Sequence, residues 1–226
     1  YFSFKIQISK LFSLYLIFFL ICFQGFIGWY MVSSGLVDRV DVSHFRLSIH
    51  LLVAFIILSM VFWNYLKLKT IFISDQKLQY IPIIFTLLIF VQIVIGAFVS
   101  GMDAGKIYNS WPLMGYKYFP NDNDILNLFK ISAFSDPSLV QFMHRNLAYI
   151  ILIMYFLIFY SVRKKKLYSM YKILNLIGFF LLVQICLGIF TLINGAQIYL
   201  ASMHQISSIF LVSSSIYFFY LNTKFN

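Results

Sequence analysis

Six stretches of the sequence are each about twenty residues long and almost free of charge, and this feature limits the fold more than any other. They cover residues 11–33, 44–66, 78–100, 140–162, 172–194 and 198–221. An α-helix needs about 20 apolar residues to cross a bilayer, so each stretch is long enough to span a membrane. The hydrophobic share of 62% and the mean hydropathy of +0.88 exclude an ordinary water-soluble domain. The sequence therefore predicts an all-α polytopic membrane protein with six transmembrane helices.

Charged residues are divided unequally between the two sides of the membrane when the connections are assigned to alternate sides. One side carries eleven basic residues and one acidic residue, whereas the other side carries six of each. Because basic residues concentrate on the cytoplasmic or matrix side, the first side is predicted to be the inner one. Its basic run at 163–166 is expected to meet anionic lipid headgroups, and nucleic acid is not expected as a partner despite the net charge of +10.

A Gln-x-x-x-Gly pattern occurs in three of the predicted helices, each of which runs outward. The three copies span residues 24–28, 92–96 and 184–188. A glycine lets two helix backbones approach closely, and an amide one turn away can hydrogen-bond to a neighbouring helix, so the pattern is typical of helix contacts inside a bundle. In each case the returning helix carries one inner histidine, which is His50, His144 or His204.

The three histidines are predicted to lie at a common depth. Each follows a marker of the outer boundary by eight or nine residues, which corresponds to a rise of roughly 12–14 Å along a helix. The markers are Asp41, Asp136 and Gly195. Four residues beyond His144 and His204, on the same helix faces, stand Ala148 and Ser208. Their small side chains are expected to leave a flat space beside the two imidazoles.

The repeat also predicts how the helices are grouped. Residues 71–226 are expected to form one four-helix unit, with His144 and His204 on its returning helices and a long outer loop at 101–139. That loop is expected to cover the outer mouth of the bundle, and a solvated surface loop is the alternative. Residues 1–70 resemble the last hairpin, so they are expected to be the second half of another four-helix unit. A complete protein would then have eight helices in two related halves.

Histidines at membrane depth are candidates for a functional site, because ionisable groups are costly there. Neutral imidazole is the commonest metal ligand, so His50, His144 and His204 are the metal-ligand candidates. Zinc is disfavoured, since each helix offers one histidine and the chain contains no glutamate. One histidine from each of two facing helices, with small neighbours, instead fits axial ligation of a haem between helices of a bundle.

Three arginines lie near the outer ends of the helices that carry histidines. They are Arg39, Arg46 and Arg145. Guanidinium groups pair bidentately with carboxylates, so haem propionates at the outer surface are the expected partners. For Arg39, contact with lipid headgroups is the alternative interpretation.

Several segments resemble the haem A synthase family, in its alphaproteobacterial and mitochondrial branch. They are GWYMVSSGLVDRVDVSHFRLSIHLLVAF, DAGKIYNSWPLMG followed by FP, QFMHRNLAYI and YLASMHQISSIFLV, in this order. The resemblance covers nearly the whole chain from residue 20 onward and implies an eight-helix inner-membrane enzyme, of which this sequence would be an N-terminally truncated form. The family's Glu-x-x-His-Arg motif, with a glutamate and a fourth histidine, is absent from the sequence, so the activity of these 226 residues alone is an open question.

The resemblance implies an oxidoreductase that oxidises a methyl group of haem o to a formyl group and so makes haem A for cytochrome oxidase. It implies a haem b cofactor between two histidines and haem o as the substrate of the other half. The cofactor-binding candidates are His144, His204, Arg145, Ala148 and Ser208. The substrate-binding candidates are Arg39, Arg46 and His50, and His50 is also the catalytic candidate. Haem O synthase as donor, a redox partner and a homo-oligomer are the protein partners considered, in a bacterial plasma membrane or the mitochondrial inner membrane.

Two other functions stay open at this point. One is a non-catalytic membrane protein whose bis-histidine haem only relays electrons. The other is a transporter that uses buried histidines as proton relays. A visible Soret band from the purified protein would exclude the transporter.

Overall fold

The computed structural model describes residues 8–35, 42–69 and 78–223. In these ranges the chain forms six long α-helices and no β-strand. The helices are α1 (Ile8–Gly35), α2 (His44–Lys67), α3 (Ile81–Gly101), α4 (Pro137–Lys164), α5 (Tyr171–Ile193) and α6 (Ile198–Asn222). Each predicted apolar stretch agrees with one helix to within three residues at either end. The predicted all-α class is thus confirmed.

Five of the six helices are both long enough and apolar enough to cross a membrane. The sixth, α6, has a similar length of 25 residues but carries six serines, so it is less apolar. Two of these serines, Ser214 and Ser215, are buried, and their hydroxyls donate to the carbonyls of Phe210 and Val212 in the same helix. Because these hydroxyls are satisfied inside the helix, α6 can occupy the interior of the bundle.

Helices α3 to α6 close into a four-helix bundle. α3 packs against α4 and α6, and α5 packs against α6 and, less extensively, against α4. The hairpin of α1 and α2 is attached through α2, which contacts both α3 and α6. The predicted boundary between residues 1–70 and 71–226 falls outside the described ranges, and that division stays a prediction.

The tightly packed core fills the inner half of the bundle, where "inner" denotes the end that carries residues 163–166. Side chains such as Phe85, Ile177, Val212 and Phe218 are almost completely buried there. Lipid tails are as apolar as these side chains, so close packing, more than the hydrophobic effect, holds the helices together. The outer half is less filled, and this leaves room for the site described below.

The ends of two helices follow simple local rules. Asp136 caps α4, because its carboxylate accepts a hydrogen bond of 3.0 Å from the backbone N–H of Leu139. Pro137 then occupies the first turn, where its missing N–H costs nothing. Between α5 and α6 the chain reverses over residues 194–197, and Gly195 adopts a φ of +67° in this turn.

The outer loop joins α3 to α4 and contains three short 3₁₀ turns. They are Ala104–Lys106, Ile125–Phe129 and Ile131–Ser135. The Tyr108 hydroxyl donates to one oxygen of Asp122 at 2.8 Å, and the Ser138 hydroxyl donates to the other at 2.6 Å. Burial by itself would raise the pKa of Asp122, but these two hydrogen bonds, together with others from the Asp122 backbone and Asn123, outweigh it and hold that pKa below its ordinary value. The loop is therefore tied to the first turn of α4.

Candidate functional site

A cavity of about 480 Å³ lies in the outer half of the molecule, between α2, α3, α4, α5 and α6. Its volume is in the range of pockets that hold small molecules and cofactors. All three histidines line it, as do three other predicted site residues. The predicted residues in its wall are His50, His144, His204, Arg145, Ala148 and Ser208. The structure thus brings six of the eight predicted site residues to one cavity.

His144 and His204 face each other across this cavity from α4 and α6. Their ring centres are 6.5 Å apart, and the ring planes are inclined by 79°. Two imidazoles on opposite sides of one metal ion, each with a nitrogen about 2 Å from the metal, would have ring centres roughly 6 Å apart. The observed separation therefore fits two axial ligands of one metal.

The described residues contain no group of three His, Cys, Asp or Glu side chains that could hold a metal ion by themselves. A metal between His144 and His204 would thus need its remaining ligands from elsewhere, as in a porphyrin. In addition, the Nδ1 atoms of His50, His144 and His204 are buried and have no hydrogen-bond partner. Buried polar atoms are nearly always satisfied, so the protein alone does not complete the surroundings of these rings.

The first Gln-x-x-x-Gly motif is in direct contact with its histidine. The side-chain amide nitrogen of Gln24 donates to the backbone carbonyl of His50 at 3.0 Å and lies 3.2 Å from the ring Nε2 atom. On the next turn of α1, a Cβ atom at Gly28 would lie only 3.2 Å from Cε1 of the same ring. Gly28 therefore leaves the space that the imidazole occupies, because any side chain at this position would crowd the ring.

The second motif repeats this geometry. The amide nitrogen of Gln92 lies 3.0 Å from the carbonyl of His144 and 3.3 Å from its Nε2 atom. A Cβ at Gly96 would lie 3.0 Å from Cε1 of His144. The sequence had indicated only that the glutamine and the glycine share a helix face, and their contact with the ligand candidates is an additional finding.

The third motif has the same backbone contact but a different side-chain contact. Gln184 donates to the carbonyl of His204 at 2.9 Å, and a Cβ at Gly188 would lie 3.2 Å from Cε1 of that ring. The amide of Gln184 also donates to the hydroxyl of Ser207 instead of approaching the ring nitrogen. The three motifs thus make the same contact with the backbone of their histidines. The third motif differs in the side chain that its glutamine contacts.

Ala148 and Ser208 both line the cavity, four residues beyond the paired histidines. The Ser208 hydroxyl donates to the carbonyl of Gln205 in its own helix, so it needs no partner in the cavity. The two positions fit the predicted flat space beside the imidazoles, and their contact with a cofactor stays a prediction.

Arg145 also lines the cavity, but its terminal nitrogens bind the outer loop. They donate to the backbone carbonyls of Tyr108 and Ser110, both at 3.0 Å, and of Leu113 at 3.3 Å. Sequence reasoning missed this role, because the acceptors are main-chain atoms, which leave no mark in a sequence. A propionate contact of Arg145 remains a prediction.

Neither of the other two predicted arginines is among the described residues of the cavity wall. The Arg46 guanidinium carbon lies 4.6 Å from the centre of the Tyr30 ring on α1, which is a cation–π contact. Arg46 does not line the cavity formed by the described residues. Arg39 lies outside the described residues, and its role stays a prediction.

The outer loop forms part of the cavity wall through Asp103, Gly105 and Trp111. The indole N–H of Trp111 donates to the hydroxyl of Tyr149 on α4 at 3.0 Å. The loop therefore contributes to the outer part of the cavity wall, and its role as a cover of the outer mouth stays a prediction. Asp103 is the one carboxylate among the described lining residues, and it forms an ion pair of 2.9 Å with Lys106.

These features define an all-helical membrane protein with two opposed histidines in an outer cavity. The chain belongs to the COX15-CtaA family, described as cytochrome oxidase assembly protein, whose model matches residues 1–216. The resemblance drawn from the sequence motifs is confirmed by this match.

Curated bacterial relatives carry the name Heme A synthase. The protein of Pelagibacter ubique (strain HTCC1062) is 47% identical over 211 residues, which are 93% of this chain and 62% of the relative. The protein of Rickettsia bellii (strain OSU 85-389) is 40% identical over 221 residues, which are 94% of this chain and 66% of the relative. The chain thus spans slightly less than two thirds of the length of these relatives.

Proposed function

We propose that the protein is a haem A synthase, an oxidoreductase that converts a methyl group of haem o into a formyl group and so supplies haem A to cytochrome oxidase. The observation that carries the proposal is the pair of His144 and His204, whose ring centres are 6.5 Å apart across a cavity between facing helices. The curated name of relatives that are 47% and 40% identical supports the same reaction.

In this proposal His144 and His204 hold haem b, with Ala148 and Ser208 beside the macrocycle and Arg145 near the propionates. When held by these two histidines, the haem would supply electron transfer. The protein's own contribution is to fix the two rings, to exclude water by the loop that carries Trp111, and to keep the surroundings apolar. The inner half of the cavity wall, with residues such as Ile89 and Leu181, is well suited to a porphyrin face.

His50 is proposed to bind and orient the substrate haem o. It lines the same cavity, and Gln24 and Gly28 hold its ring in the way that Gln92 and Gly96 hold His144. Arg39 and Arg46 are proposed to meet the substrate propionates. The catalytic role of His50 thus rests on its likeness to His144 in both sequence and contacts.

The protein is proposed to reside in the inner membrane, with its basic end on the cytoplasmic side and the cavity near the opposite surface. The side chains of Lys164, Lys165 and Lys166 are exposed at the basic end, where anionic lipid headgroups are their expected partners. Haem O synthase as donor, a redox partner and association into a homo-oligomer are further parts of this proposal.

The test is to express the gene that encodes this chain in cells that make haem o but lack haem A. We expect the purified protein to show a Soret band and the cells to accumulate haem A, measured by extraction and chromatography. A protein without haem, or cells without haem A, would contradict the proposal.

One observation favours a second candidate, a bis-histidine haem protein that only relays electrons. The carboxylate of Asp103 is the one acidic group among the described lining residues, and it is largely exposed beside Lys106, so the described wall offers no buried carboxylate to stabilise positive charge on a reacting methyl group. A purified protein with bound haem, in cells that contain haem o and make no haem A, would support this candidate.

A further inference from the structure

Two polar atoms in the cavity wall have no partner among the described residues. They are the side-chain carbonyl oxygen Oε1 of Gln141 and the Nε atom of Arg145, and both are buried. Both residues line the cavity, one helical turn apart on the same face of α4. Because buried polar atoms are nearly always satisfied, this pair indicates a place where an occupant of the cavity completes the hydrogen bonds.

The outer loop fixes the orientation of the Gln141 amide. Its nitrogen donates at 3.1 Å to the backbone carbonyl of Tyr108, which can only accept, so the nitrogen and not Oε1 faces the loop. The residue is only 2% exposed. Gln141 therefore brings a buried acceptor to the cavity wall, and no described residue supplies the donor that this acceptor needs.

The Arg145 guanidinium is a cation without a counter-ion in the described part of the chain. Its two terminal nitrogens donate to the loop carbonyls of Tyr108, Ser110 and Leu113, and it makes no ion pair with a described residue. Nε is the guanidinium nitrogen that is left without a hydrogen bond. Since a buried charge is stabilised by a partner of opposite charge, an anionic group in the cavity would complete the surroundings of this side chain.

A carboxylate meets the needs of both side chains. It accepts directly from the Nε–H of Arg145, and the positive charge of the guanidinium favours the ionised form of the carboxyl group. A carboxylate oxygen and Oε1 of Gln141 are both acceptors, so a water molecule that donates to each of them has to lie between them. The propionates are the carboxylates that haem b, the proposed cofactor, would bring to this cavity.

We propose that Gln141 and Arg145 form a carboxylate subsite that sets the orientation of the porphyrin in the cavity. Arg145 holds one propionate through its Nε–H, and Gln141 is a positioning residue that holds the same propionate through one water. Gln141 lies three residues before His144, so its backbone is about 4.5 Å farther out along α4. The propionate edge of the macrocycle therefore faces the outer loop, and the apolar edge faces residues such as Ile89 and Leu181. This inference rests on the proposed function, since it takes haem b as the occupant.

The main experiment titrates the purified protein with iron protoporphyrin IX and with its dimethyl ester. Esterification removes both negative charges and leaves the iron and the ring unchanged. We expect the wild type to bind the acid about tenfold or more tightly than the ester, because the ester loses the charge-assisted hydrogen bond. Gln141→Leu should reduce this preference by about three- to tenfold and leave the affinity for the ester unchanged.

Gln141→Glu tests the same position without loss of size or polarity. The new carboxylate would lie beside the Arg145 guanidinium and compete there with the propionate, so the acid should lose more affinity than in Gln141→Leu while the ester keeps its affinity. This variant decides the role of Gln141 even where Gln141→Leu fails to accumulate in the membrane. Gln197→Leu is the matched control and should keep the wild-type preference, since Gln197 is exposed and makes no side-chain cap.

The outcomes separate this inference from the proposed function. Equal affinities of the wild type for the acid and the ester would overturn the subsite and show that solvent water alone meets the two atoms, whether or not haem A is made. An unchanged preference, or an equal loss of both affinities, in the Gln141 variants would overturn the role of Gln141. A wild-type protein that prefers the acid and makes no haem A would overturn the proposed reaction and leave the subsite standing. A wild-type protein that binds neither porphyrin would overturn both.

Discussion

At the scale of single residues, the site depends on three glycines without side chains as much as on the three histidines beside them. Gly28, Gly96 and Gly188 face imidazole rings so closely that a methyl group would touch them. The sequence identifies the histidines and the Gln-x-x-x-Gly motif as parts of a candidate site, because both repeat. It does not predict their contact, since spacing along one helix shows which residues share a face but not which residue of the neighbouring helix they meet.

Replacing Gly96 by alanine should lower the haem b content of the purified protein. The new Cβ would lie 3.0 Å from Cε1 of His144, so the ring must move away from its place opposite His204. Gly25→Ala is the control, because no atom lies within 4 Å of the added Cβ there. The haem-to-protein ratio measures the effect. Equal ratios in the two variants would show that the His144 ring does not need the space left by Gly96.

Replacing Ala148 by phenylalanine should displace haem b, because the ring would fill the space beside His144 on the cavity wall. Ile150→Phe is a suitable control, since Ile150 lies on the same helix and is 52% exposed on its outer surface. Absorbance of the purified proteins at the Soret band compares the two. Normal haem occupancy in Ala148→Phe would show that the space is not used.

At the scale of whole elements, the helices were more predictable than the outer loop. Continuous apolar stretches determine where a helix crosses the membrane, and all six were predicted to within three residues. The loop is held by single contacts between side chains and distant carbonyls, such as those of Arg145 with Tyr108 and Ser110. Such contacts have no periodicity, so a sequence pattern cannot reveal them.

Arg145→Ala should loosen the outer loop, because three backbone carbonyls would lose their donor. We expect trypsin to cleave the variant at Lys117 or Lys130 at least several-fold faster than the wild type, as followed by mass spectrometry. Arg163→Ala, at the other end of α4, serves as control. An unchanged cleavage rate would mean that the remaining contacts of the loop suffice to hold it.

The anchoring of the loop by Asp122 should depend on pH only in acid. The folded-state pKa of this carboxyl lies below its ordinary value of about 3.9, so its contribution is fully present above that value and is lost as the pH falls through the folded-state pKa. We expect hydrogen exchange of the loop, corrected for intrinsic rates, to be constant from about pH 8 to 5 and faster below about pH 4. Asp122→Asn should remove this acid-dependent step, and a step near pH 6 would contradict the assignment.

At the scale of the whole molecule, one cavity collects residues from five helices and the loop. The internal repeat predicted that the helices α3 to α6 would bring His144 and His204 together, and they do face each other. It did not predict that His50 would line the same cavity. That placement depends on how α2 packs against α3 and α6, and packing between hairpins is set by side-chain shape, which the repeat does not encode.

Single replacements of the three histidines should have two different effects on haem content. His144→Ala or His204→Ala should abolish retained haem b, because each removes one axial ligand. His50→Ala should keep haem b and block formation of haem A, since it affects only the substrate. Haem extraction from each purified variant, with chromatography of cellular haems, provides the measurement. Three variants with wild-type haem b and haem A would refute the ligand assignment.

The serines of α6 have a consequence for biogenesis. A segment with six serines, a histidine and a glutamine partitions into lipid less readily than its neighbours do. Only residues 194–197 separate it from α5, against which it packs most extensively. We therefore expect α6 to enter the bilayer together with α5 as a pair, so that His204 reaches its depth together with Gln184 and Gly188.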